Sequence, residues 1–297
     1  MLKIRVPATS ANIGPGFDCL GLALSLYNYF TVEEAEETVL FNVEDAYNNE
    51  DNLFLQSYRS TSELIGNYKP IHVTFDCHIP ISRGLGSSSA LITAGAIAAN
   101  MLNGRPLRKY DMFQMISHIE GHPDNVAPCF FGGMAASLQN DGEWLSTQIT
   151  IDSRFKFEVL IPDFEVSTEM ARSILPNTYS REDSVFNSSH AVLLCEALRT
   201  GNLDLLIASA KDRIHEPYRM HLINDFDLVK DICLADSDSV FLISGSGSTC
   251  LRISMWELSD VAKKAIHEKS SSKWEIMDLH ISQGACYEEG GKWKTVI

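Results

Sequence analysis

Basic residues are scarce in this chain: 24 lysines and arginines stand against 39 aspartates and glutamates, a formal charge of −15 over 297 residues. A nucleic-acid surface needs a basic patch or stripe, so that class of partner is excluded on charge. Long apolar runs are absent too. No stretch reaches the roughly 18 residues of a membrane helix, and Met1-Leu2-Lys3-Ile4-Arg5-Val6 reads as a strand opening without the apolar core of a signal peptide. A cytoplasmic protein with no membrane contact is expected. The seven cysteines are scattered, odd in number and contain no Cys-x-x-Cys pair, which argues for reduced thiols and against structural zinc. Internal repeats and low-complexity tracts are missing as well.

What is present is 45% apolar residues, enough to fill sizeable cores in one large or two small domains. Alternation at Ile71, Val73, Phe75, Cys77 and Ile79 predicts a strand, and the small-residue run from Ser88 to Asn103-Gly104 predicts a helix. Between them lies Pro80-Ile81-Ser82-Arg83-Gly84-Leu85-Gly86-Ser87-Ser88-Ser89-Ala90. A helix N-terminus leaves N–H donors unpaired and carries roughly half a positive charge, and glycines let backbone approach a ligand. The stretch is therefore a candidate phosphate cradle, with a serine-capped glycine turn as the plainer alternative. It is neither a Walker loop nor a dinucleotide fingerprint, because Gly-Lys-Ser/Thr is missing and no third glycine sits in register. Since the chain as a whole is acidic, a bound triphosphate has to rely on local charge: helix-end amides, Arg83 and a divalent cation.

Further strands are predicted over 2–8, 22–32, 130–138, 155–162, 240–243, 249–253 and 274–279. Helices are predicted over 52–66, 110–120, 168–175, 184–200, 203–213, 225–235 and 257–269. Strands and helices interleave without a strict βαβ repeat, and a division is expected near residue 150. His118 and His122 flank Glu120 as His-x-Glu-x-His, but Gly121 and Pro123 break the helix that would set both rings on one face, so a zinc-protease pair is rejected.

The N-terminal segment Pro7-Ala8-Thr9-Ser10-Ala11-Asn12-Ile13-Gly14-Pro15-Gly16-Phe17-Asp18-Cys19-Leu20-Gly21-Leu22-Ala23-Leu24 resembles the first motif of the GHMP kinases. The 80–90 loop resembles their second, and Ser244-Gly245-Ser246-Gly247-Ser248-Thr249 their third. Glu120-Gly121-His122-Pro123-Asp124-Asn125-Val126-Ala127-Pro128 and His215-Glu216-Pro217-Tyr218-Arg219 are similar to segments typical of homoserine kinases. The resemblance implies an α+β fold with a ribosomal-S5-like N-terminal domain (1–153), a ferredoxin-like C-terminal domain (154–297) and a site between them. It also implies ATP-dependent phosphorylation of L-homoserine, a step towards threonine, with Mg2+, in a family that commonly forms homodimers.

Phosphoryl transfer needs an in-line acceptor, a phosphate cradle and cations against the charge on the transferring group. Pro80 to Ala90 is the expected cradle, with Ser87 or Ser88 near the phosphates and the metal. Glu120 is the expected second metal ligand, since it ends a helical run just before Gly121 and magnesium takes few carboxylates. For the amino acid, Asp18 is expected to meet the ammonium, Asn12 and Asn125 to offer amides, and Arg172 and Arg219 to hold the carboxylate as the family's arginines do. Thr168, four residues before Arg172, would share its helix face and reach the transferring phosphoryl. Adenine contacts are expected around 52–65, with Asn52 among them. No general base is evident. Where homoserine kinases often carry proline, Ser248 stands here, which removes a stiffening residue. A kinase for mevalonate or a sugar, or a nucleotide-binding regulator without turnover, are the alternatives; a substrate of both charge signs sets the first apart.

Overall fold

A computed structural model of the chain describes residues 1–296. In chain order its elements are β1 (Leu2–Ala11), β2 (Leu20–Glu34), β3 (Val39–Phe41), α1 (Leu53–Ile65), β4 (Ile71–Cys77), α2 (Ser87–Leu102), α3 (Lys109–Glu120), α4 (Pro123–Phe131), β5 (Met134–Asn140), β6 (Glu143–Ile149) and β7 (Lys156–Pro162). There follow α5 (Thr168–Ser173), α6 (Arg181–Thr200), α7 (Leu203–Ser209), α8 (Glu216–Arg219), α9 (Phe226–Asp236), β8 (Ser239–Ile243), β9 (Cys250–Ser254), α10 (Asp260–Lys269), β10 (Trp274–Leu279), β11 (Cys286–Glu289) and β12 (Lys292–Thr295). Helices and two mainly antiparallel sheets make the α+β class that the sequence predicts.

The larger sheet has eight strands in the order β12-β11-β1-β2-β4-β3, with β5 on β2 and β6 on β5. Its organiser is β2, whose 15 residues serve β1 along their length, β4 through Asn28–Glu34 and β5 through Leu20–Leu22. Small side chains in α2 let α1 lie close against it: a Cβ on Gly95 would come within 2.2 Å of the Phe54 carbonyl. The smaller sheet runs β10-β7-β9-β8, the ferredoxin-like order in which helices separate β7 from β8 and β9 from β10. Strand β7 is buried from Phe157 to Pro162 because both faces are covered, and its one buried charge, Glu158, is paired with buried Arg252. Leu160, Phe241 and Trp274 face the helices carrying Phe226 and Ile266, while Phe157, Val159 and Leu251 join the core that Leu194 and Leu206 also fill.

Two expectations need correction. The strand foreseen over 130–138 begins only at Met134, because Pro123 starts α4 and the helix runs to Phe131 before Gly132 ends it. The apolar aromatics at its end imitate a strand. Nor does the division after residue 153 hold to the C-terminus: β11 pairs with β1, so the last two strands complete the first sheet. Both missed hairpins turn on residues with positive φ, Asp141-Gly142 (50° and 87°) between β5 and β6 and Gly290-Gly291 (60° and 75°) between β11 and β12.

Candidate active site

The cradle is built by its neighbours. Buried Asn28 accepts from the His78 and Ile79 amides at 2.8 Å and closes β4. The chain then turns through Ser82, Gly84 and Gly86, all with positive φ, into α2, whose cap residue Gly86 offers no side-chain acceptor. The amides of the first turn thus keep their capacity for an external anion. Gly84 has no room for a side chain, since a Cβ would meet the Ser244 carbonyl at 2.2 Å. Here the three motif loops join: Ser244 Oγ donates to Gly84 O (2.6 Å), Gly245 N to Ala11 O (3.1 Å) and Thr249 N to Arg83 O (3.1 Å). The third motif is a brace between the first two. Ser248 is buried and donates to Phe164 O at 2.6 Å, a tether that restrains this brace without proline.

Glu120 reaches this helix end from α3. Its carboxylate accepts from Ser88 Oγ at 2.8 Å and from buried Ser89 Oγ at 2.7 Å, so the carboxylate meets Ser88 and Ser89, while Ser87 lines the cavity beside them. Among the described residues no group of three or more His, Cys, Asp or Glu side chains is arranged to hold a metal ion. One carboxylate with serine hydroxyls at a phosphate cradle is nevertheless a hard-oxygen set of the kind that suits magnesium, which takes its other ligands from phosphates and water. Arg83 does not supply the free positive charge expected of it. Its Nε donates to Pro162 O (3.2 Å) and its charge is matched by Glu165, 3.2 Å away.

A cavity of about 740 Å³ runs from the cradle in two directions. One end carries an apolar wall of Val43, Tyr47, Leu53, Phe75, Ile79 and Leu91, beside the polar Asn42, Glu44, Asn49 and Asp51. Asn52 lies there but its amide is engaged, accepting from Phe54 N (3.0 Å) as the cap of α1 and donating to Tyr47 O (3.0 Å). The rest of α1 packs into the core, so the expected 52–65 wall is really the segment before the helix.

The other end is charged. Asp18, Arg172, Arg219, Asn12, Asn125 and Thr168 all line it. Arg172 and Asp18 form a two-point ion pair (2.7 and 3.1 Å), each a little over a third exposed. Arg219 is 2% exposed; its Nε donates to Ala171 O (3.1 Å) and its Nη1 to Gly245 O (3.0 Å), which leaves Nη2 as the free corner of the fork. Burial first, then the charge of Arg172, lowers its pKa to about 10. Asn12 holds the loop itself, its Oδ1 accepting from Asp18 N (3.0 Å) and its Nδ2 donating to Gly245 O (2.7 Å). Asn125 Oδ1 accepts from Thr9 Oγ1 (2.7 Å), so its amide hydrogens are what it offers the cavity. Thr168 Oγ1 lies 3.3 Å from Ser246 Oγ and Thr168 opens the same helix that carries Arg172.

At the charged end, Asp124 and His122 are wall residues to which the sequence reading gives no role. Asp124, 3% exposed, accepts from Asn125 N (2.9 Å) and faces His122 Nδ1 at 3.0 Å. The hydrogen bond to Asp124, helped by its charge and that of Glu120, raises the His122 pKa against burial. The signal was in the sequence: Gly121 followed by Pro123 ends one helix and starts another, which sets Asp124 in a first turn beside the cradle. His118, by contrast, is exposed on α3.

Residues 52–133 match the family model described as the GHMP kinases N terminal domain. A homoserine kinase of Clostridium botulinum is 40% identical over 288 residues, 95% of this chain and 97% of that protein. One from Caldicellulosiruptor saccharolyticus is 38% identical over 290 residues, 94% of each. The crystal structure of a homoserine kinase from Cytophaga hutchinsonii superposes with a TM-score of 0.83 at 26% identity, covering 97% of both chains. A mevalonate kinase structure shares the fold at a TM-score of 0.69 and 13% identity, over 95% of this chain and 99% of that one. With such identity sustained along nearly its whole length, the chain belongs to the homoserine kinase family of the GHMP kinases.

Proposed function

We propose that the protein transfers the γ-phosphoryl group of ATP to the side-chain hydroxyl of L-homoserine, giving O-phospho-L-homoserine. The observation that carries this is one cavity in which an uncapped, glycine-bordered helix end meets side chains of both charge signs, Asp18 with Arg172 and Arg219. An α-amino acid needs both signs; mevalonate or a sugar does not.

The triphosphate lies on the 80–90 loop with its base towards the apolar end. First-turn amides of α2 and the serine hydroxyls face the phosphates, a fixed arrangement of donors that needs no rearrangement during transfer. Glu120 with Ser88 and Ser87 would hold a magnesium ion, which when bound supplies the positive charge that offsets the triphosphate. Asp18 takes the substrate ammonium, while Arg172 and the free Nη2 of Arg219 take the carboxylate; the substrate thereby exchanges partners with the ion pair. Thr168 steadies the transferring group, and the hydroxyl proton leaves to phosphate or water, without a side-chain base.

The test is coupled ATP turnover in magnesium with L-homoserine, L-threonine, L-serine, mevalonate and galactose. Turnover with homoserine alone is expected. Turnover with only another acceptor overturns the amino-acid assignment, and nucleotide binding without turnover points to a regulator.

A further inference from the structure

The loop that carries Asp18 is strained. Asn12 (φ 71°), Ile13 (47°) and Asp18 (54°) all sit in the left-handed region without being glycine, and a β-branched isoleucine is a true outlier there. Something outside the loop has to hold it. Buried His215, which borders no substrate position, does so from behind. Its Nε2 lies 2.8 Å from Gly14 O. A carbonyl only accepts, so Nε2 carries the proton and Nδ1 of the neutral ring is an acceptor. That Nδ1 faces Arg219 Nη1 at 3.5 Å, the limit of a hydrogen bond. The ring also stacks on Phe17 (centroids 5.3 Å apart, 27° between planes), and Phe17 lies beneath both guanidinium groups, 5.7 Å from Arg172 and 5.1 Å from Arg219.

We propose that His215 is a positioning residue for the homoserine clamp, tying the Asp18 loop to Arg219 and backing the Phe17 platform on which both arginines rest. This rests on the homoserine reading above. Burial, reinforced by the charge of Arg219 and opposed by Asp212, lowers the His215 pKa, in keeping with a neutral ring of fixed tautomer. Asp212 fixes the backbone on either side, accepting from the Ile214, His215 and Glu216 amides.

The experiment compares the parent enzyme with His215→Ala, His215→Phe and His215→Gln, measuring KM and kcat for homoserine and ATP, thermal midpoints, and turnover of 3-aminopropan-1-ol, which lacks the carboxylate. With two anchors of the clamp lost, His215→Ala should raise the homoserine KM by about 10- to 100-fold, leave the ATP KM within about twofold, and lose most of the preference for homoserine over the amino alcohol. Glutamine can donate to Gly14 O and should restore much of the KM; phenylalanine keeps the stack without the donor and should not. Should the alanine variant not fold, the glutamine and phenylalanine pair decides. Equal homoserine KM values in the parent, phenylalanine and glutamine enzymes, or parallel rises in both KM values, overturn the proposal. A parent enzyme with no homoserine turnover overturns the substrate assignment instead.

Discussion

Arg219→Ala separates what this side chain does for the fold from what it does for the substrate. Truncation removes the hydrogen bonds to Ala171 O and Gly245 O, and bonds from a charged donor contribute about 1.5–3 kcal/mol each. Against them stands the cost of the buried charge: a pKa brought from 12.5 to about 10 corresponds to roughly 3 kcal/mol against the charged form. The second offsets half or more of the first, and water can enter from the cavity that Arg219 lines, so the net loss of stability should stay within about 3 kcal/mol. Activity should suffer more. Losing one partner of a desolvated charge pair costs about 2–4 kcal/mol, or roughly 30- to 1000-fold in kcat/KM for homoserine. The assay is coupled turnover over a range of homoserine at saturating ATP, with urea unfolding of the same samples. An unchanged kcat/KM for homoserine, or a loss confined to the ATP KM, refutes the placement of Arg219 at the carboxylate. Arg219→Lys, which keeps charge without the fork, should fall between the two enzymes.

Glu120→Gln should lower kcat by about 100-fold or more and raise the magnesium concentration needed for half-maximal rate; an unchanged magnesium requirement would remove Glu120 from the metal site. Asp124→Asn should lose no more than about 100-fold in kcat, since no side-chain base is assigned, and a thousandfold fall with intact binding would make Asp124 that base. Glu216 is half-buried with its carboxylate accepting from Ile243 N, and desolvation, the leading cause, lifts its pKa from 4.5 to about 8. The folded protein then keeps a proton that the unfolded chain gives up, so stability present below pH 4.5 is lost as pH rises towards 8, by about 1.4 kcal/mol per pH unit. Glu216→Gln, which can still accept from Ile243 N, should therefore gain on the parent in urea between pH 5 and pH 8; a constant difference across that range would show that Glu216 does not hold its proton.

The local grammar of this chain was legible without coordinates. Alternation before Pro80, glycines at 84 and 86 and small residues after Ser88 fix a strand, a tight loop and a helix whose free amides face outward, because these depend on neighbours in sequence. The Asp141-Gly142 and Gly290-Gly291 turns were equally local and were simply not read as hairpins. Meetings between distant residues lay beyond such reasoning. Arg83 looked like a cation for phosphate until Glu165, distant in sequence, matched its charge. Asn12 looked like a wholly free amide, but Gly245, 233 residues away, takes one of its two Nδ2 hydrogens. Ser244 could not be known as the brace of Gly84, nor His215 as the prop of Gly14, from spacing alone. The sequence by itself determined which chemical groups the site owns. Tertiary structure decided which of them stay free for a ligand, since every buried donor or acceptor has to find a partner and the nearest one is set by how the sheets and helices pack.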